Sequence, residues 1–334
     1  MLKWKVWGGS GESWDALLMD LRDYCVYQYF GWGEHKANYG WKPCRLTATL
    51  NGETVSMAQV LVRHFPFGVT LAWVPGGPVG PAEAWGESFA KALRLALRVR
   101  HLYCRINSMG EQTEGESQRL QSSGWRRPVS ALLSGRSILV DMSLSERDWL
   151  ASIDSKHRYY VKRSSAAAIS WVYGEANSLQ KDFAWLTRQL RLDKRADLIE
   201  TDPEMLVRMS SFLPGSVQIL VGYLEGQPVT GCLILVQQEK AYYASAATVG
   251  LGRKVSAAYS MVAKLRGLLK AQRVTHFDFG GINPGVLGAS GVDHFKRGFG
   301  GREIGYLGEW DWATSSLLRY TANYLIKRRA GSMS

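Results

Sequence analysis

The chain has 334 residues, of which 46% are hydrophobic, and its 41 Lys and Arg outnumber 29 Asp and Glu for a formal net charge of +12. That apolar content supplies a packed core and excludes disorder as the class, and at roughly 150 residues per domain the length predicts two domains. The charge excess concentrates anionic partners (nucleic acid, nucleotide-linked substrates, anionic lipid headgroups) and speeds their encounter without specifying a fold.

In chain order, the N-terminal MLKWKVWGGSGESW has no apolar block of the kind a secretory signal carries. Apolar runs such as Gly231 to Val236 fall far short of the roughly 18 residues a membrane span needs, so the expectation is a soluble protein that stays in the cytoplasm. A hairpin is expected at the turn in NGETVSMAQVLVR, followed by the strand-like run GVTLAWVPGG. A helix near Ala82 to Arg100 would place Trp85, Phe89, Ala92, Ala96 and Val99 on one stripe, with Glu87, Lys91, Arg94 and Arg98 facing away. A strand His101–Asn107 comes next. In SERDWLASIDSKHRYYVKRSSAAAISW, Ser145 is a candidate N-cap. A first helix there leads to a strongly basic one carrying Lys156, Arg158, Lys162 and Arg163. Those cations are either a solvated face or a phosphate-tracking surface for RNA or a nucleotide diphosphate.

The second half repeats the first. At a constant offset of 174 (226 − 52), Gly52 matches Gly226, Val55 matches Val229, Leu61-Val62 match Leu235-Val236, and Gly76 stands opposite Gly250. After the hairpin in EGQPVTGCLILVQ and the run AYYASAATVG, a helix near Ser256 to Gln272 carries Tyr259, Val262, Leu265 and Leu269 on one side, and a strand Val274–Phe279 follows. A repeat of this length means two copies of one domain rather than a solenoid, whose units are far shorter. Hairpin, strand, glycine-bearing loop, helix and strand in each copy predict mixed α/β sheets.

The stretch FDFGGINPGVLGASGVDHFKRGFGG ends an apolar run in Asp278, passes Gly280 and Gly281, and sets Phe295, Lys296 and Arg297 beside another glycine cluster. Glycine concentrates where the chain needs positive φ or where something approaches the backbone. Asp278 either orients a reacting amine or caps the following turn through Asx hydrogen bonds. Cys25, Cys44, Cys104 and Cys232 have no CxxC spacing, and HExxH, GxSxG and GxxxxGK[ST] are missing, which removes the usual warrants for zinc, hydrolase and P-loop chemistry. No metal is expected. Trp32, Trp41, Trp73 and Trp310 are candidate stacking surfaces in a chain with 13 Trp, most of which must pack the core.

The order of elements in each half resembles the acyltransferase fold of the GNAT superfamily, in which a loop before a helix offers N–H groups to an anion. The corresponding loops, VPGGPVGPAEAW and TVGLGRKVSAAY, depart from the Q/R-x-x-G-x-G/A pattern of coenzyme A users. Across most of the chain, further stretches resemble the FemABX family of aminoacyl-tRNA-dependent peptidyl transferases. These are FGWGEHKANYGWKPCRL with Trp32, Gly33 and Lys36, LAWVPGGPVGP, SKHRYYVKRSSAAAISW, and most specifically HFDFGGINP…GVDHFKRGFGGREIGYLGEW. The resemblance implies two GNAT-like domains in tandem, an α/β fold of mixed sheets, with residues 1–143 and 312–334 forming the acceptor-binding domain and 144–311 the donor and catalytic side. No sustained heptad pattern for a long helical arm occurs, as in the shorter members.

The resemblance also implies that Lys36, beside Trp32, holds a phosphate of a UDP-linked or lipid-linked muropeptide, and that Lys296, braced by Phe295, lies at the catalytic centre. Either Arg191 or Arg195 would pair with the acceptor's diphosphate, while Arg297, Gly280 and Gly281 lie along the substrate. Asn107 occupies the position where some members carry an acidic residue. The implied reaction is aminolysis of the aminoacyl ester, in which Lys296 faces the developing oxyanion or the terminal tRNA phosphate. For such a reactive ester, positioning and charge stabilisation supply most of the acceleration. Charged tRNA is then a co-substrate and no cofactor is expected; a lipid-linked acceptor would bring the chain, expected as a monomer, to an anionic membrane. Three other readings stay open: tRNA-dependent aminoacylation of a carrier-bound or small peptide in a biosynthetic pathway, an acyl-coenzyme A type N-acyltransferase, and an inactive nucleic-acid-binding or envelope-assembly protein.

Overall fold

The computed structural model describes residues 2–21, 23–194, 201–283 and 290–331. The chain divides into two compact units, one made of Met1–Gly135 and Gly305–Ser334 and the other of Arg136–Ile304. The strands are β1 (Lys3–Val6), β2 (Lys42–Leu50), β3 (Glu53–Phe65), β4 (Val69–Pro75), β5 (His101–Glu111), β6 (Arg136–Asp141), β7 (Ser170–Glu175), β8 (Val217–Leu224), β9 (Gln227–Gln237), β10 (Lys240–Thr248), β11 (His276–Gly281) and β12 (Arg302–Ala313).

In the first unit β1, β2, β3 and β4 pair antiparallel in succession, β4 and β5 pair parallel, and β5 pairs antiparallel with β12. The second unit repeats the pattern. There β7, β8, β9 and β10 are antiparallel, β10 and β11 are parallel, and β6 closes against β11 antiparallel. The duplication legible at the offset of 174 is thus a duplication of sheet topology. Each parallel pair needs a crossover, and a helix supplies it: Phe89–Leu97 in the first unit, Ala257–Ala271 in the second.

The last strand of each sheet comes from a distant part of the chain, and it shifts the unit boundaries from those read in the sequence. β6 zips onto β11 from His276↔Asp141 to Gly281↔Ser137, and β12 onto β5 from Tyr306↔Glu111 to Ala313↔Tyr103. Residues 136–143 therefore lie in the second unit and 305–311 in the first. Backbone pairing decides the allegiance of these strands.

The helix expected over Ala82 to Arg100 is two pieces, Ala82–Trp85 and Phe89–Leu97. Gly86 ends the first, and its carbonyl accepts the indole N–H of Trp125 at 2.8 Å instead of continuing the helical ladder. The break lets Trp85, Phe89 and Trp125, all fully buried, share one core with Val60, Val74 and Ile106 of the sheet. In the second unit Val262, Leu265 and Leu269 pack as their spacing predicts, against Ile234, Phe277 and Phe279. Ser145 is an N-cap, its hydroxyl accepting from the Asp148 N–H. Among the described residues no helix is long and apolar enough to cross a membrane.

Candidate active site

The glycine pair after Asp278 sits in a β-bulge. Asp278 pairs with Leu139 but Gly281 pairs with Ser137, so β11 holds one residue more than β6 over this interval. Gly280 takes a φ of +84° there, and a Cβ on it would stand 2.8 Å from the Tyr243 carbonyl oxygen and 3.1 Å from Lys296 Nζ. Only glycine fits both the conformation and the space. The buried Asp278 carboxylate accepts the Gly280 N–H at 2.8 Å and the Ser137 hydroxyl, so of the two readings open for Asp278 the turn-capping geometry is present.

Lys296 projects from the helix Ser290–Gly298 to this bulge, and its ammonium donates to the Gly281 carbonyl at 2.8 Å. Burial pulls its pKa below the ordinary lysine value, while the charges of Asp278 and Asp293 push the other way. Asp293, which the sequence left without a role, is buried one turn earlier, and its two carboxylate oxygens each lie 3.0 Å from the Asn283 N–H, which donates to them. The result is a half-buried cation with a fixed direction, set against the bare backbone of a bulge.

Phe295 anchors that helix. Successive helical residues diverge by about 100°, so while Lys296 meets β11, Phe295 enters a ring cluster with centroids 5.2 Å from Tyr259, 5.0 Å from Phe299 and 6.2 Å from Phe279. Beneath lies His157, only 1% exposed, whose Nε2 is 3.0 Å from the Phe295 carbonyl. Burial lowers its pKa, which favours the neutral ring. A carbonyl only accepts, so Nε2 carries the proton. A Cβ on Gly298 would fall 1.9 Å from the His157 ring, so the imidazole occupies the space that this glycine leaves. Sequence reasoning missed this pair, although HFKRGFGG contains Gly298 and the basic helix contains His157.

Arg297, one residue after Lys296, is exposed and gives Nε and Nη2 to Glu303 at 3.1 Å each. Arg191 is exposed on the helix Ala176–Lys194, and Arg195 lies outside the described residues. On the helix Ser155–Ser165, Lys156, Lys162 and Arg163 are exposed, as a phosphate-tracking face requires. Arg158 is partly diverted: its Nη1 donates to the carbonyls of Leu150 (3.0 Å), Ala151 (2.8 Å) and Ile153 (3.3 Å), closing the C-terminus of the helix Glu146–Ser152.

In the first unit the helix Phe30–Ala37 packs on β2 and β3, and Gly33 is what lets it close. A Cβ there would lie 2.3 Å from Gln59 Oε1 and 2.7 Å from Arg45 Nη2. Arg45 donates from Nε to Gln59 (2.8 Å) and from Nη2 to Glu34 (2.8 Å). Four residues after Trp32, the Lys36 ammonium lies 4.8 Å from the Trp32 ring centre and 5.7 Å from that of Tyr39. Arg63 stacks 4.2 Å from the Trp41 ring, itself 5.8 Å from Trp73. Burial lowers the Lys36 pKa, and the like charge of Arg63 lowers it further. Two cations over aromatic faces, raising each other's cost, suit an anion. Trp32 is only 8% exposed and forms the floor under Lys36, and Trp310 is fully buried. Neither presents a face for stacking.

Residues 220–328 match the FemAB family model. The chain is similar to a crystal structure of FemX at 15% identity and a TM-score of 0.83, over 96% of this chain and 100% of that one. It is also similar to L-PGS from Bacillus licheniformis (13% identity, TM-score 0.55, 95% and 96% covered) and to a tandem GNAT protein from the clavulanic acid biosynthesis pathway (10%, 0.56, 94% and 99%). No curated protein matches the chain in sequence. At such identities the structural likenesses establish a shared fold, and that fold is the tandem GNAT-like class. The family match spans most of β8 to β12 and includes the FKRGFGG close, so the FemAB likeness in sequence rests on this segment of the chain.

Proposed function

We propose that this protein transfers an amino acid from aminoacyl-tRNA to an amine of a peptide acceptor, and that the acceptor is a peptidoglycan precursor, a UDP-linked or lipid-linked muropeptide. The observation that carries the reading is Lys296, a buried-stem cation held at a glycine bulge by a ring-packed helix. Aminolysis of the ester passes through an oxyanion, and a cation fixed before the reaction stabilises that charge without reorganising. The amine's proton leaves to the departing ribose oxygen or to solvent. A dedicated base would add about 10²–10⁴-fold, so the Asn at position 107 is compatible with turnover. Lys36 and Arg63 are the groups suited to the acceptor's diphosphate.

The test is incubation of the purified protein with mixed radiolabelled aminoacyl-tRNAs and both muropeptide forms, followed by mass spectrometry of the acceptor. Label in the acceptor, lost on RNase treatment, is the expected result. Transfer that survives RNase and requires coenzyme A would replace this reading with an acyl-coenzyme A one.

A further inference from the structure

We propose that the outward face of the helix Ser316–Gly331, with the adjoining loop 128–133, docks the protein on an anionic lipid surface. This does not rest on the transfer chemistry above.

A surface helix ordinarily buries its apolar stripe and shows its polar one. This helix is held inward mainly by polar bonds and leaves a second apolar stripe outside. Its one buried residue among those described is polar, with Leu318, Ala322 and Ile326 half-buried beside it: Asn323, 2% exposed, bonds the fully buried Asp311 of β12 through Nδ2 and takes the Val129 N–H on Oδ1 at 3.1 Å. One turn earlier Arg319 donates from Nε to Asp311 at 2.5 Å and from Nη2 to the Arg127 carbonyl at 2.9 Å. What remains outside is Leu317 (73% exposed), Tyr320 (70%), Tyr324 (56%) and Leu325 (59%), at spacings that place them on one side. The same bonds tie the loop to the helix, and the loop adds exposed Val129, Leu132 and Leu133, the last two held by N–H bonds to Glu309 Oε1 at 2.8 and 2.7 Å.

The charged side chains of the two segments that form the face have one sign. No Asp or Glu occurs from Gln121 to Val140 or from Thr314 to Ser334, whereas Arg126, Arg127, Lys327 and Arg328 are exposed. Glu309 and Asp311, the carboxylates that the loop and helix bond, are turned inward and matched by Arg105 and Arg319. A patch of tyrosines and aliphatics edged only by cations fits a surface that offers hydrocarbon depth and negative headgroups together. RNA would satisfy the cations and stack on the tyrosines, but it gives leucine and valine nothing to bury against. A second copy of the chain would bring like charges into contact.

Sedimentation of the full chain with vesicles tests this, comparing phosphatidylcholine alone with phosphatidylcholine mixed with phosphatidylglycerol. Binding to the mixed vesicles at least about tenfold tighter than to the neutral ones, weakening as salt rises, is expected. Lys327→Gln and Arg328→Gln should each weaken it about fivefold. Leu317→Ser with Tyr320→Ser and Tyr324→Ser should abolish it while the melting temperature changes little, since each of these side chains is more than half exposed. Equal binding to both vesicle types, no binding, or patch variants that bind like the parent would overturn the proposal. So would dimerisation, or RNA binding, that the patch variants remove.

Discussion

Lys36 and Lys296 are two half-buried lysines, each on a helix packed against a sheet and each pulled below the ordinary lysine pKa first by burial. Their surroundings differ in sign. Lys296 has Asp278 and Asp293 acting to keep its proton and a carbonyl taking one N–H bond, so its charge is satisfied and aimed before any ligand arrives. Lys36 has ring faces and a second cation, Arg63, so its charge is kept at a cost that a bound anion would remove. The first arrangement suits charge that develops during a reaction and the second suits charge already on a ligand, because only interactions stronger in the transition state raise kcat.

Lys296→Met breaks that contrast most sharply. Its expected loss is about 10²–10³-fold in kcat for aminoacyl transfer, the usual size for removing one preorganised oxyanion partner, with little change in KM. A loss confined to KM would put Lys296 in the same class as Lys36. Lys36→Met should do the converse. Removing a hydrogen bond to a charged group costs about 1.5–3 kcal/mol, so KM for a diphosphate-bearing acceptor rises about tenfold to a hundredfold at nearly constant kcat. An acceptor lacking the diphosphate should show no such change.

A smaller effect sharpens the role of the support under Lys296. Gly298→Ala forces a methyl into the His157 ring and should cost about 1–3 kcal/mol in denaturant unfolding, the range for overpacking. His157→Ala opens that space, so the double variant should recover part of the loss; simple addition of the two costs would mean that the contact does not govern the helix.

The smallest expected effect is in pH. Lys296 acts protonated, and its lowered pKa means that the charge is lost at lower pH than for a free lysine. The rate should therefore fall as pH rises through the lowered value, and Lys296→Arg, which stays charged, should flatten that limb of kcat/KM. For stability the sign is opposite: between the lowered folded value and the unfolded one near 10.5 the unfolded chain binds more protons, so Lys296's contribution to folding grows as pH rises.

Much of this was legible in local pattern. Hairpin turns at Gly52 and Gly226, the stripe of Val262, Leu265 and Leu269, the cap at Ser145 and the offset of 174 are periodic or adjacent features, and each corresponds to an element of the fold. The Phe295-Lys296 pair was visible through the resemblance of the glycine-rich close, and the helix found there makes the two neighbours diverge, one into rings and one toward the bulge. Less visible was the fate of residues whose neighbours are remote in sequence. Arg297 looked available to substrate until Glu303 engaged it, Arg158 looked like its basic neighbours until the end of the preceding helix took one of its nitrogens, and Trp310 looked available until the core closed over it.

By itself, then, the sequence determined the duplication, the mixed α/β class and the chemical types gathered at the glycine-rich close, since all of these reside in spacing and residue type along the chain. Only tertiary structure decided that β6 and β12 complete their sheets, that one extra residue bulges at Gly280, and that His157 fills the gap of Gly298. It likewise left Leu317, Tyr320, Tyr324 and Leu325 of the last helix exposed. The physical reason is that strand pairing, close contact and burial depend on which segments meet, and a linear pattern carries no distance between them.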